Sequence, residues 1–116
     1  MKIAMVILSV ALALMVIASG AGKLRKSPQV MEMMKHVGVK DSQIPILAAL
    51  EILGGLGLLI GLESKSLGRL SAILLAVYFA VAVISHLRVK DTFKAFAPAF
   101  FIFVIAIVTV WLQVKR

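Results

Sequence analysis

Three ionisable side chains in this sequence are of types that could do chemistry within an apolar surrounding: Lys23, Glu51 and His86. Glu51 stands alone in the otherwise apolar run of residues 44–62, which is long enough to cross a bilayer. A charge in hydrocarbon is costly, so such a residue usually faces a bundle interior or an aqueous cavity and marks a ligand or proton site. The competing interpretation is structural: Glu51 pairs with Lys23 or bonds a neighbouring helix and fixes the helix register.

Four apolar stretches must position these side chains. Of the 116 residues, 62% are hydrophobic and only 16% are charged, which is far from the composition of a soluble domain. Because the connections between the stretches are short, we predict one domain over residues 1–116. Its fold class is all-α, an antiparallel four-helix bundle integral to a membrane. The predicted spans are residues 3–22, 44–62, 67–87 and 93–113.

Antiparallel threading places several polar residues in one half of this bundle. Ser19 and Lys23 end the first span there, Glu51 lies about 10 Å from that side, and His86 ends the third span on it. The other half is predicted to hold boundary charges only. Tyr78 lies in mid-span, where its hydroxyl needs a partner. The candidate ligand-binding residues are Lys23, Glu51, His86, Ser19 and Tyr78.

The same residue types argue against other kinds of site. His36 and His86 show no paired-histidine spacing, so we assign no metal ligands and expect no bis-histidine haem. No nucleophile–base pattern is visible, so no catalytic residue is assigned. The absence of cysteine excludes disulfides, thiol redox chemistry and Fe–S clusters.

The second span carries glycines at positions that favour close helix packing. Gly54, Gly57 and Gly61 include a Gly57-xxx-Gly61 spacing, and in lipid such glycines allow another helix backbone to approach. We assign these three residues to helix packing.

The first connection predicts a short helix over residues 28–37. Ser27 is a good N-cap, Pro28 suits the first helical position and Gly38 ends the segment. Its apolar, methionine-rich stripe indicates a helix that lies in the membrane interface, and the alternative is a lid over a cavity between the spans.

The net charge of +8 is explained by basic residues at the helix ends, where they meet lipid phosphates. We therefore expect membrane lipid as a partner and no nucleic acid. The first and third connections carry eight of the 13 Lys and Arg residues, which predicts that both are cytoplasmic in a plasma or inner membrane. Lys23, Arg25 and Lys26 follow the first apolar run at once, so we interpret this run as an uncleaved helix.

These residues also carry a family resemblance. The segment Ser19-Gly20-Ala21-Gly22-Lys23-Leu24 resembles the S-G-x-x-K-L motif of the DoxX-like membrane proteins, and residues 50–61 resemble that family's second helix. His86-Leu87 is similar to the end of its third helix, and Ala97-Pro98-Ala99 to the start of its fourth. The resemblance implies a small four-helix membrane protein, linked in some relatives to thiosulfate–quinone oxidoreduction, to oxidative-stress complexes or to assembly roles.

Three functions remain open on these grounds. The first is a non-catalytic subunit that holds a lipophilic, polar-headed ligand, a quinone or a lipid, in a Lys23–Glu51–His86 cleft at one membrane face. Any redox role would then need a bound quinone or a partner protein, as in a quinone-linked oxidoreductase complex. The second is a small proton-coupled multidrug-type transporter, and the third is an assembly factor that binds other membrane helices or copies of itself.

Overall fold

The computed structural model describes residues 2–116 and is helical throughout that range apart from turns. Four helices are long and apolar enough to cross a membrane. The helices are α1 (Lys2–Leu24), α2 (Pro28–His36), α3 (Ile44–Ile60), α4 (Lys65–Arg88) and α5 (Phe93–Lys115). A 3-10 turn, Asp41–Gln43, precedes α3. The predicted all-α bundle of four membrane helices with a short helix after the first is therefore confirmed, with the bounds now given by the structure.

The four long helices form a closed ring of contacts. Helix α1 packs most extensively on α3, and α4 on α5, while smaller α3–α4 and α1–α5 contacts complete the ring. The buried core is formed by side chains from all four helices, including Leu12, Leu58, Leu75, Phe79 and Ala106. The outward faces carry large apolar side chains instead of charges. This inside-and-outside apolar pattern is that of a multi-pass membrane protein.

The glycines of α3, and Gly61 directly after it, lie where that helix meets its neighbours. A Cβ atom at Gly54 would lie 2.6 Å from Leu75 of α4, and one at Gly61 would overlap the backbone of Gly68 in α4. Gly57 faces Ser71 in the same way. The three glycines therefore let α4 approach α3 more closely than any side chain would permit.

Helices α1, α2 and α4 end in the same turn, and after α1 it is Lys26 that has a positive φ, +55°. After α2, Gly38 has a φ of +87°, and the N–H of Val39 donates to the carbonyl of Met34. After α4, Lys90 takes the corresponding position with a φ of +57°. The next N–H, that of Asp91, returns to the carbonyl of His86 at 3.1 Å. This Schellman turn folds the chain back, so Asp91 lies beside His86.

Candidate ligand-binding site

A buried ion pair joins α1 to α3. The Lys23 ammonium donates to Oε1 of Glu51 and, at 3.1 Å, to the hydroxyl of Ser19 one helical turn before it. Glu51 is fully buried, and Lys23 is only 6% exposed. Lys23 therefore points into the bundle and does not extend to the membrane surface.

Close packing of α1 against α3 brings Lys23 and Glu51 near enough to form this ion pair. A Cβ atom at Gly20 would lie 2.7 Å from Ile52 Cγ1 and 3.0 Å from the carbonyl oxygen of Ala48. Since Gly20 has none, α3 lies directly against α1 at this level. That contact brings Glu51 opposite Lys23.

Only one of the two carboxylate oxygens of Glu51 accepts a hydrogen bond. Oε2 is buried and has no hydrogen-bond partner, although the phenol of Tyr78 lies near this carboxyl group. A buried acceptor without a partner is rare and costly. This oxygen can therefore accept one further hydrogen bond.

A cavity of about 440 Å³ opens beside the ion pair. Lys23, Ser19, Tyr78 and His86 reach its surface, whereas Glu51 lies behind Lys23 and does not. The rest of the wall is almost wholly apolar and comes from α2, α3, α4 and α5, with Met33 and Met34 contributed by α2 and Val37 by its C-cap. The cavity thus has an apolar body with a few polar groups on one side.

A second polar cluster links α2 to the end of α4. Asp91 Oδ2 lies 2.6 Å from Nδ1 of His86, and its Oδ1 lies 2.6 Å from Nε2 of His36. The hydrogen bond from His86 first, and then that from His36, lowers the pKa of Asp91 below its ordinary value. Since the carboxylate accepts both bonds, His86 carries a proton on Nδ1, and its Nε2 is an acceptor when the ring is neutral.

Sequence reasoning did not find this His36–Asp91–His86 bridge. Asp91 lies in the connection after the third span, and the only sequence indication is its place five residues beyond His86. Glu32 lines the groove beside the bridge. Within residues 2–116, no group of three or more His, Cys, Asp or Glu residues is arranged to hold a metal ion.

The opposite half of the bundle holds more than the predicted boundary charges, so that prediction was wrong. Gln113 is fully buried, and its amide nitrogen donates to Ser9 at 3.1 Å. Its oxygen accepts from Arg116 at 2.8 Å. Nε of Arg69 donates to the backbone carbonyl oxygen of Gln113 at 3.0 Å. From the sequence, a polar side chain near the end of a span is expected to face the membrane interface. In the structure, the Gln113 side chain instead points into the bundle.

Comparison with known protein families gives a match over most of the sequence. The sequence model described as the DoxX-like family matches residues 7–109, which is most of the chain. Neither the curated proteins nor the solved structures include a significant match.

Proposed function

This chain belongs to the DoxX-like family, and from that premise we propose that it is a non-catalytic binding module for a lipophilic molecule with a polar headgroup. The observation that carries the proposal is the amphipathic cavity beside the Lys23–Glu51 pair. Ligand sites in proteins are largely apolar clefts of about 300–1,000 Å³ with a few placed polar groups. The cavity has this size and this distribution of groups.

Lys23 is suited to bind the headgroup. Its ammonium has three N–H donors, of which Glu51 and Ser19 take two. The third is available at the cavity surface. The ion pair with Glu51 also holds the lysine at one place, so little side-chain freedom is lost when a ligand binds.

A quinone is one ligand whose chemistry these residues fit. Its two carbonyl oxygens accept hydrogen bonds, and Lys23, Ser19 and Tyr78 offer N–H and O–H donors at the cavity wall. The apolar remainder suits the tail, and when bound a quinone would supply electron-transfer chemistry that the side chains lack. The chain has no cysteine. A redox role for this protein would therefore be that of a subunit beside a catalytic partner.

Two other functions have less support. Proton-coupled transport needs an acid that alternates between proton and substrate, but Glu51 is paired with Lys23 and lies away from the cavity surface. An assembly role was based on the Gly57 and Gly61 surface as a groove for foreign helices. Helix α4 of the same chain already fills that groove.

The test is to fill the cavity without touching its polar groups. Ala82 lines the cavity and is half-buried, so Ala82→Leu should obstruct it. Ala18→Leu makes the same change on the exposed face of α1. Small molecules retained by each protein after purification in mild detergent are identified and counted by mass spectrometry.

We expect the wild type and Ala18→Leu to retain the same lipophilic molecule, and Ala82→Leu to lose it. Tyr78→Phe, which removes one hydroxyl and little volume, should weaken retention of a ligand whose headgroup meets Tyr78. If the wild type retains no such molecule after exposure to a membrane lipid and quinone extract, the proposal is wrong. Equal retention by the two leucine variants would also contradict it.

A further inference from the structure

A second cavity lies at the end of the bundle away from Lys23. It also has a volume of about 440 Å³ and is formed where the start of α1, the α3–α4 turn and the end of α5 meet. Four basic residues surround it: Lys2, Lys65, Lys115 and Arg116. Met5 and Leu112 form part of its apolar wall.

No acidic side chain lines this cavity or pairs with its basic residues within the described range, residues 2–116. The three acid–base contacts in that range all involve Glu51 or Asp91, which lie at the other end of the bundle. Glu63, in the α3–α4 turn, is exposed and forms no ion pair in the same range, so four cations share the cleft with one acidic side chain nearby and produce a positive potential. Such a cleft attracts anions.

Arg116 is held in position before any ligand binds. Its Nη1 donates to the Gly61 backbone carbonyl at 2.7 Å and to Oε1 of Gln113 at 2.8 Å. Its Nη2 donates to the Leu62 backbone carbonyl at 3.0 Å. These bonds use three of the five N–H donors of arginine. The two that remain can bind a phosphate oxygen with little loss of side-chain freedom.

We propose that this cavity binds the headgroup of an anionic phospholipid. The cavity lies at the ends of the membrane-spanning helices, which is the depth of lipid phosphates. The phosphate would lie among the four cations, and the glycerol and first acyl carbons against Met5 and Leu112. Free phosphate shares the anionic chemistry but gains nothing from an apolar wall, so the lipid is favoured. This inference does not rest on the function proposed for the first cavity.

The test is a titration of the detergent-purified full chain, followed by native mass spectrometry. The three probes are phosphatidylglycerol, phosphatidylcholine and inorganic phosphate. We expect one tightly bound phosphatidylglycerol per chain, weaker phosphatidylcholine binding and no stable phosphate adduct. Equal affinity for the two lipids would overturn the proposal, and so would phosphate binding as tight as that of phosphatidylglycerol.

Two matched double variants locate the binding. Lys65→Gln with Lys115→Gln removes two cavity cations, and Lys35→Gln with Lys40→Gln removes two exposed lysines elsewhere. A basic residue near an anionic lipid changes affinity about 5-fold, so the cavity pair should weaken binding about 25-fold. The second pair should have little effect. Equal weakening by both pairs would mean that the attraction is only that of the net charge.

A charge relocation gives an independent control that leaves the total charge unchanged. Lys65→Ser combined with Ser66→Lys moves one cation to the next exposed position of α4 at the same end of the bundle. We expect binding of phosphatidylglycerol to weaken about 5-fold. Unchanged affinity would assign the lipid to the charged surface as a whole and contradict the site.

Discussion

His36 Nε2 and Asp91 Oδ1 lie 2.6 Å apart, although the two residues are 55 positions apart in the chain. The contact ties the last turn of α2 to the α4–α5 connection. Because the second oxygen of Asp91 binds His86, one carboxylate links three segments around the first cavity. Helix α2 contributes Met34 to that cavity's wall, and Val37, the residue directly after the helix, lies beside it. The His36–Asp91–His86 bridge therefore holds one wall of the proposed ligand site in place.

The first prediction is that His36→Ala loosens α2 without unfolding the bundle. The variant removes one of the bonds that hold α2, while the four long helices keep their contacts. Backbone amides of residues 28–36 should exchange with solvent deuterium faster, and those of α4 should not. Lys35→Ala, on the same exposed turn, is the control. Equal exchange in the two variants would mean that the bridge does not hold α2.

The second prediction concerns acid. The bonds from His86 and His36 lower the pKa of Asp91, so their stabilisation is fully present above the ordinary carboxyl value near 3.8. It is lost as pH falls through the lowered pKa. Protonation of either ring leaves a donor facing Asp91, so acidification to about pH 5 should not open the bridge. Glu32 and Lys35 line the same groove, and Lys90 and Lys94 are titratable groups close to Asp91 in the chain.

Deuterium exchange of α2, corrected for the intrinsic rate at each pH, measures this acid response. In the wild type, α2 protection should fall only below about pH 4. Asp91→Asn removes the titrating group and should show low protection at every pH. A loss of protection between pH 7 and 5 in the wild type would contradict the assignment.

The third prediction tests whether Lys23 and Glu51 stabilise the fold as an ion pair. Each side chain is buried, so Glu51→Leu or Lys23→Met alone strands the other charge and should cost about 3–5 kcal/mol of unfolding free energy. The double variant buries no charge and should be closer to the wild type than either single variant. Unfolding in mixed detergent micelles measures all four proteins. Additive losses would show that the two residues do not act as a pair.

The same double variant also tests the proposed function. It should fold and yet fail to retain a polar-headed ligand, because the ammonium at the cavity surface is gone. A purely structural pair would leave retention unchanged.

Hydropathy and isolated polar residues explain which features could be predicted from the sequence. Each span is a long apolar run, and Glu51 interrupts its run alone, so its burial and the polar half of the bundle follow from the cost of charge in lipid. Lys23 was open to two interpretations, because a lysine at a span end can reach the interface or turn inward. Its burial depends on the close α1–α3 contact at Gly20, which only the fold reveals.

The missed residues belong to helix ends and connections, where hydropathy carries little information. Asp91 reaches His36 because a turn folds it back over α4 and because α2 lies nearby, and neither relation is local in sequence. Gln113 is buried because Ser9, 104 positions away in the chain, and Arg116, three positions on, form hydrogen bonds with its side chain. Partners of this kind decide whether a polar residue near a span end faces lipid headgroups or the bundle.

The fourth prediction concerns the left-handed residue after α4. Lys90 has a φ of +57°, a conformation that costs a side-chain-bearing residue about 1 kcal/mol relative to glycine. Lys90→Gly should therefore raise the unfolding free energy by about 0.5–1 kcal/mol. Lys94→Gly, in the first turn of α5, should instead lower it by up to about 1 kcal/mol. Chemical denaturation in detergent compares the two, and a loss of stability in both would refute the role assigned to the turn.

The fifth prediction compares one substitution at two glycines. A Cβ atom at Gly61 would overlap the backbone of Gly68, so Gly61→Ala must push α3 and α4 apart. Overpacking of this kind typically costs about 1–3 kcal/mol, and a backbone obstacle cannot move aside as a side chain can. At Gly22 the nearest atom to an added Cβ is a Val30 methyl at 3.9 Å. Gly22→Ala should therefore leave stability unchanged or improve it by up to about 1 kcal/mol, since alanine favours helix. Thermal unfolding in detergent measures both, and equal stability of the two variants would mean that α3 and α4 do not require this close contact.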